Sequence, residues 1–423
     1  MIKSIKLETA LNRTILAAAG VFCFITALFF VKWCFANAIA ARAPAKEVAE
    51  FSIALAPNDP QTHYALAVLN EKIFLAKDLS ESLAEFERAT ALAPHDFRLW
   101  LALAKARERN GDAAGAELAA QRALALAPNY AQVQWMLGNI LLRRGKIEEA
   151  FAEIRRAAES NDSYRSPAVT TAWQIFGGDA AQVKQNLSGS DSLKSALAVF
   201  LARQKRFEEA MEIWNTLPAE SKTASPFKED GEELLRVTTE AKKFRFALQI
   251  QTQIYETDAG NFAIGKISNG GFETDVKRER ASVFDWQIAD GAQPQIGFDD
   301  REKRDGARSL VIVFNSSDGK DFRPILQMTA IESAGKYVFE IFYKSNLKTS
   351  AALRWEIVDA ADNKVLATAN LAPNSADWTN LKTEFLVPET TQAVMVRLAR
   401  EPCKSIICPI SGKVWFDDFS IHQ

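Results

Sequence analysis

Pairs of neighbouring carboxylates and a few histidines are the residues whose types could support hydrolysis. Asp299 precedes Asp300 and Asp417 precedes Asp418, so each pair contains the two acids that glycoside hydrolysis uses. Adjacent residues do not face each other across a glycosidic bond, which needs carboxyl groups roughly 5 to 9.5 Å apart. The 3 His and 4 Cys show neither zinc-site spacing nor a base beside a nucleophile. We therefore predict no catalytic residues and no enzymatic activity.

Aromatic and charged side chains near the C-terminus could instead bind sugar. Aromatic rings contact the apolar side of a pyranose, and polar groups around them fix its hydroxyls. Trp286 and Trp378 lie in loop-like surroundings and are the stacking candidates. Alternation with a period of two places Arg354 and Glu356 on one sheet face, and Arg397 on a charged face as well. These five residues are the predicted carbohydrate-binding set.

The alternative for this charged face is that it is merely solvated. Antiparallel sheets commonly bury one face and expose the other to water, which produces the same alternation without a ligand. The pattern assigns Trp355 and Trp415 to the apolar core.

Charge and composition narrow the class of protein. With 51 Lys+Arg against 53 Asp+Glu, the net charge is −2, so the chain lacks the basic excess of a nucleic-acid binder. A hydrophobic fraction of 48% with 25% charged residues matches soluble globular proteins. At about 100 to 200 residues per domain, 423 residues predict two or three domains.

The N-terminus contains an apolar run over residues 14–31 without any charge. Eighteen helical residues at 1.5 Å each nearly span a hydrocarbon core of about 30 Å. We predict a transmembrane helix over 14–35, preceded by a cytoplasmic arm over 1–13. Lys3, Lys6 and Arg13 favour a cytoplasmic N-terminus. This predicts a single-pass protein of the inner membrane with its bulk in the periplasm.

The alternative for this segment is a cleavable signal peptide, because residues 36–38 and 38–40 offer small-residue cleavage sites. The apolar run is longer than the roughly 7 to 15 residues of such a core, so we favour an uncleaved anchor. Export to an oxidising compartment would also allow Cys403 and Cys408 to form a short-loop disulfide. Two unpaired thiols are the alternative.

A repeated phrase occupies the middle of the chain. ALAPND, ALAPHD and ALAPNY begin at residues 54, 91 and 125, with prolines 37 and 34 residues apart. The second unit adds Trp100, a small Ala104 and a Gly111 turn; the third has Gly138 and Gly145 at equivalent places. Small residues are needed where two antiparallel helices approach closely. The pattern predicts helical hairpins.

The spacing of these residues closely resembles that of the tetratricopeptide repeat, whose period is about 34 residues. The resemblance implies an all-α solenoid of about six hairpins over residues 44–258. Repeat proteins of this kind are scaffolds far more often than enzymes, and their concave groove binds an extended segment of a partner protein.

Beyond residue 260 the periodicity changes from 3.6 to 2, which predicts an all-β sandwich over residues 262–423. The opening NGGFE at 269–273 and the closing VWFDDFSI at 414–421 resemble carbohydrate-binding modules of families four and nine, which are jelly rolls. That resemblance implies a structural calcium held by Glu273 and Asp417, with Asp418 as a substitute ligand. The alternative is that these carboxylates cap turns or pair with an arginine.

Taken together, these features predict a multidomain, non-catalytic protein: a transmembrane helix, a tetratricopeptide solenoid and a jelly roll. Our first hypothesis is a membrane-anchored scaffold whose solenoid recruits a protein and whose jelly roll binds glycan, in bacterial cell-envelope or exopolysaccharide assembly. The second hypothesis keeps the scaffold and makes the jelly roll purely structural. An exposed aromatic on the concave sheet face would favour the first, and its absence the second.

Overall fold

The computed structural model describes residues 10–72, 76–187, 189–255, 262–277, 279, 281–316, 322–401 and 408–423. The chain divides into two compact units, Met1–Leu193 and Lys194–Gln423. The first is helical, and the second joins the remaining helices to a β-sandwich. The predicted multidomain fold, with one apolar N-terminal helix, helical repeats and a sandwich, is confirmed.

Helices of the first unit form antiparallel pairs. They are α1 Ala10–Ala40, α2 Lys46–Leu55, α3 Pro60–Glu71, α4 Ala76–Leu92, α5 Phe97–Arg109, α6 Ala113–Leu126, α7 Ala131–Arg143, α8 Ile147–Ser160, α9 Arg165–Ile175 and α10 Ala180–Leu187, with a 3₁₀ turn at Asp162–Tyr164. Asp59, Asp96 and Asp112 cap the starts of α3, α5 and α6 by accepting backbone N–H bonds.

Small residues let the paired helices approach closely, as the repeat pattern predicts. Ala104, Ala116 and Ala120 are completely buried in one core cluster between α5 and α6. At Gly138, an added Cβ would collide with the Ile154 side chain across the α7–α8 crossing. The repeat core therefore depends on side-chain size at a few positions.

The apolar helix α1 has 31 residues, more than the predicted span. It could cross a membrane by its length and composition, and the same test is passed by a signal sequence. Its last turns pack against α2 and α3: Ala36 is 0% exposed, Ala40 is 4% exposed, and the Asn37 amide donates to Asp59 Oδ2 at 3.0 Å. The C-terminal end of α1 is thus part of the helical stack.

Helices of the second unit continue the hairpins. α11 Asp191–Arg203 crosses the division between the units, followed by α12 Phe207–Asn215, α13 Ala219–Lys222, α14 Phe227–Glu240 and α15 Phe244–Ile254. Trp214 is completely buried, and its Nε1 donates to Gln253 on α15.

Strands of the second unit form two antiparallel sheets. They are β1 Gln287–Ile288, β2 Gln295–Asp299, β3 Ser309–Ser316, β4 Ile325–Ala330, β5 Lys336–Asn346, β6 Lys348–Thr349, β7 Leu353–Asp359, β8 Val365–Asn370, β9 Asn374–Leu386, β10 Ala393–Arg400 and β11 Ile410–His422. Sheet A has the order β1-β4-β10-β7-β8, and sheet B has the order β2-β3-β11-β5-β9, with β6 beside β11.

The two sheets enclose an aromatic core. Phe272, Trp286, Trp355, Phe416 and Phe419 lie within it, and ring centroids of neighbouring pairs are 4.8–6.1 Å apart. The opening motif enters this core because Gly270 lies against Phe419, whose backbone N–H donates to Gly270. The opening and closing motifs are therefore neighbours in space.

Sheet A also packs on its outer side, against the last helix. Ala247 and Leu248 of α15 share an apolar cluster with Ala330 and Met328 of β4 and with Phe262. The Arg245 guanidinium on α15 donates to Ser333 at the edge of this contact. The last hairpin and the sandwich thus share a small core of their own.

Candidate functional site

A groove runs along α3, α5 and α7, the first helices of three successive hairpins. It encloses about 320 Å³, and its lining includes Tyr64, Val68 and Glu71 on α3, Phe97, Arg98, Leu101 and Lys105 on α5, and Tyr130 and Gln132 near α7. The rings of Phe97 and Tyr130 lie 5.0 Å apart, and Tyr130 is 48% exposed. Exposed aromatic rings beside polar groups are the usual contacts of a peptide-binding surface.

The lining residues repeat with the intervals of the prolines. Tyr64 and Leu101, 37 residues apart, occupy the same position in successive repeats, and Val68 and Lys105 occupy another. The groove therefore follows from the repeat register. None of these groove residues was predicted from the sequence, although the proline intervals of 37 and 34 residues would have been sufficient to find them.

Charges in the groove are mostly paired within the protein. The Arg98 guanidinium donates to both carboxylate oxygens of Asp96, at 2.9 and 2.7 Å, and these bonds lower the pKa of Asp96. Arg109 pairs with Glu71. Within the described parts of the chain, Lys105 forms no ion pair. Its ammonium group is therefore available to a carboxylate from outside the protein.

The predicted charged face of the sandwich forms one ionic cluster on the outer side of sheet A. Glu356 is 5% exposed and lies between two guanidinium groups: Arg354 Nε donates to Oε1 at 2.9 Å, and Arg397 Nε donates to Oε2 at 2.9 Å. Arg354 also donates to Glu401 at 2.9 Å. The structure thus brings Arg354, Glu356 and Arg397 together, but they satisfy one another.

Hydrogen bonds control the charge of this buried carboxylate. Burial by itself would raise the pKa of Glu356, but the hydrogen bonds from Arg397 and Arg354 outweigh it, and the pKa is lowered. The cluster is consequently a stable ion network, and a ligand would compete with bonds already made.

One expectation about the tryptophans needs correction. Trp286 was expected in an exposed loop; it is 2% exposed, packs against Phe272 and Phe419 and donates to the Asn269 carbonyl at 3.2 Å. Its ring faces are covered, because the opening motif folds into the core. Trp355 is in the core as expected, at 0% exposure.

Trp415 is buried as expected, at 7% exposure, but it lies on the outer side of sheet B and not between the two sheets. Its neighbours Val414 and Phe416 point into the core, so Trp415 points outward. Its Nε1 donates to Asp299 Oδ2 at 3.0 Å, which lowers the pKa of Asp299, and the Lys413 ammonium lies 5.9 Å from the ring centroid. Strict alternation along β11 would have predicted this orientation.

Trp378 lies in a local bulge of β9. Tyr343 pairs with Thr379 and Ser345 pairs with Ser375, so residues 376–378 stand opposite Lys344 alone. The bulge leaves Trp378 half-buried between two exposed neighbours, Asp377 and Thr379. Of the two predicted stacking residues, Trp286 is buried and Trp378 is partly exposed.

The expected calcium ligands converge at the junction of the opening and closing motifs. Asp417, 1% exposed, accepts the backbone N–H of Arg304 at 3.0 Å and that of Asp418 at 2.9 Å. Glu273 accepts the N–H of Ala307 at 2.8 Å, and Asp418 pairs with the Arg304 guanidinium. Burial raises the pKa of Asp417. The three carboxylates thereby hold loop 300–308.

These contacts do not fit a calcium ion as they stand. Carboxylates suit calcium by type, but each one here is bonded to N–H donors that a cation would have to displace. Among the described residues, no group of three or more His, Cys, Asp or Glu side chains is arranged to hold a metal ion. The arrangement agrees better with the alternative of turn capping and an arginine pair.

The predicted disulfide involves Cys403, which lies outside the described residues. Its partner Cys408 is buried. The pair stays a prediction.

Comparison with known proteins agrees with the helical part of this description. Residues 76–131 and 101–165 match the tetratricopeptide repeat, which confirms the repeat type predicted from the intervals. A search among curated proteins found no match to the chain.

Solved structures with similar parts fall into two groups. "Crystal structure of MamA" is 15% identical, covers 47% of this chain and 89% of its own, and has a TM-score of 0.28. "CBM4 structure and function" is 16% identical, covers 37% of this chain and 97% of its own, and has a TM-score of 0.28. The CBM22-1–GH10 modules of Clostridium thermocellum xylanase 10B with xylohexaose are 15% identical, cover 38% of this chain and 28% of their own, and have a TM-score of 0.27.

A first prediction concerns the ionic cluster. Glu356→Gln removes the charge between two guanidinium groups, so we expect the free energy of unfolding to fall by about 3–5 kcal/mol. The matched control is Glu384→Gln, whose partner Lys336 and own side chain are both more than half exposed; we expect a change within about 0.5 kcal/mol. Urea denaturation of the detergent-solubilised chain measures both.

The same variant has a pH signature. Because the pKa of Glu356 is lowered in the folded protein, its charge stabilises the fold above the ordinary carboxylate pKa of about 4.3. That stabilisation is lost as the pH falls through the lowered pKa, so wild type and Glu356→Gln should converge in acid. A gap independent of pH would contradict the assignment.

A second prediction concerns metal removal. Since the carboxylates of Glu273, Asp417 and Asp418 are bonded to N–H donors, we expect the melting temperature of the chain to be equal in calcium and in chelator. Differential scanning calorimetry in both buffers measures this. A rise of several degrees in calcium, absent in Asp417→Asn, would contradict our description and restore the calcium site.

Proposed function

We propose that the protein is a non-catalytic, membrane-anchored scaffold whose solenoid groove binds an extended segment of a partner protein. The observation that carries the proposal is the groove along α3, α5 and α7. It contains the exposed ring of Tyr130, the half-buried rings of Tyr64 and Phe97, and a lysine without an ion pair among the described residues. Tetratricopeptide repeats in residues 76–165 support it, because such repeats generally bind proteins.

The chemistry of the groove indicates what kind of segment it takes. Tyr64, Phe97 and Tyr130 offer apolar rings, and Lys105 offers a positive charge among them. The neighbouring arginines are already neutralised by Asp96 and Glu71. We infer that the partner contributes apolar side chains and a carboxylate placed against Lys105.

The packing of α1 supports the uncleaved anchor over the signal peptide. Both candidate cleavage sites, residues 36–38 and 38–40, lie inside α1, and Ala36 and Ala40 are buried against the first hairpin. Cleavage there would remove these contacts and the bond from Asn37 to Asp59. We infer a retained helix with a cytoplasmic arm, and a bulk in the periplasm, where it would serve cell-envelope or exopolysaccharide assembly.

A third prediction tests the groove. We expect Lys105→Glu in the full chain to reduce recovery of a co-purified partner by about tenfold, the size of a single strong contact. The control Arg122→Glu makes the same change of charge on α6, on an exposed residue outside the groove lining. Quantitative mass spectrometry after crosslinking in the native membrane measures the same partner in all samples. Equal recovery with both variants would contradict the proposal.

Glycan binding by the jelly roll is a second candidate function, favoured by one observation, the partial exposure of Trp378 in its bulge. Against it, the most exposed Phe, Tyr or Trp ring in the described sandwich is Phe298, at 36%. The Arg308 guanidinium lies 4.5 Å from the centroid of that ring. By the criterion set from the sequence, this favours a structural jelly roll.

A fourth prediction separates these candidates. If Trp378 stacks on sugar, binding of the full chain to a glycan array should fall to background in Trp378→Ala and persist in Trp286→Phe, which keeps the core filled. If the jelly roll is structural, as we expect, wild type and both variants show the same background signal. Array binding that depends on Trp378 would overturn this expectation.

A further inference from the structure

An apolar cavity lies where α1 meets the first hairpin of the solenoid. One wall is formed by Phe29, Phe30, Lys32 and Trp33 of α1, and the other by the turn 55–59 between α2 and α3. The cavity encloses about 590 Å³. Phe29 and Phe30 are 68% and 64% exposed, so nothing in the described chain covers their side of it.

The depth of this cavity follows from the length of α1. Asn37, which bonds to Asp59, comes two residues after the predicted span 14–35, and two helical residues rise about 3 Å. Headgroups occupy roughly 5 to 7 Å outside each side of the hydrocarbon core. In a membrane-spanning α1, the turn 55–59 therefore lies within the headgroup layer, and Phe29 and Phe30 lie inside the hydrocarbon.

Helix α2, which packs against α1, carries apolar side chains toward the same region. Leu55 lines the cavity, and Phe51, one helical turn earlier on α2, is 53% exposed. Lys32 adds a positive charge at the cavity wall, and the Asp59 carboxylate in the opposite wall is already bonded to Asn37 and to the backbone N–H of Gln61. The surface thus combines apolar groups with a cation at the level where acyl chains join phosphates.

From this continuity with the apolar span, we propose that the cavity holds a membrane phospholipid, with an acyl chain against Phe29, Phe30 and Leu55 and its phosphate beside Lys32. The first hairpin of the solenoid is thereby held on the bilayer surface. The inference rests on the proposed function only in requiring a retained anchor.

The repeat provides a matched test. Asn58, His95 and Asn129 follow the prolines of the three repeated phrases and are all exposed. Each is replaced in turn by p-benzoylphenylalanine in the full chain, in nanodiscs of phosphatidylethanolamine and phosphatidylglycerol. After irradiation, we expect phospholipid adducts at position 58, at least about tenfold more than at 95 or 129, by mass spectrometry.

Two outcomes would overturn the proposal: no lipid adduct at position 58, or equal adducts at all three positions. An adduct to a second copy at position 58 would also overturn it, since another chain would then occupy the cavity. The intact mass of the same protein tests the anchor separately. A chain shortened near residue 38 or 40 contradicts both the anchor and this inference, whereas an intact chain without the adduct contradicts this inference alone.

Discussion

The close approach of helices at alanine and glycine is the constraint on which the structure depends. A helical hairpin cannot bury both of its apolar faces alone, so each hairpin needs a neighbour. Within a hairpin, residues such as Ala104, Ala120 and Gly138 allow the two helices to approach. Inside the array the neighbour is another hairpin. A hairpin that has no second hairpin beside it needs another apolar surface to cover its free face.

In each unit, a different kind of element packs against the helices. In the first unit, α1 places Ala36 and Ala40 against the first hairpin; in the second, the outer side of sheet A places Ala330 and Met328 against α15. The apolar helix and the jelly roll thus both act as caps, besides any role in anchoring or binding. The sandwich therefore has a structural role, because it covers apolar side chains of α15.

The capping role also limits what sheet A can bind. Part of its outer side packs against α15, and another part is taken up by Glu356 with its two arginines. A charged face that looked like a ligand surface in the sequence is, in three dimensions, a satisfied ion network beside an internal contact.

Sequence by itself determined the periodic features: the apolar helix, the repeat type, and the change to strands beyond residue 260. These depend on local spacing, which the chain carries explicitly. Only the tertiary structure decided that Trp286 is buried and that Asp417 holds a loop. Those outcomes depend on which distant segments meet, since the opening motif covers Trp286 and loop 300–308 supplies the N–H donors for Asp417. No local pattern encodes such a meeting.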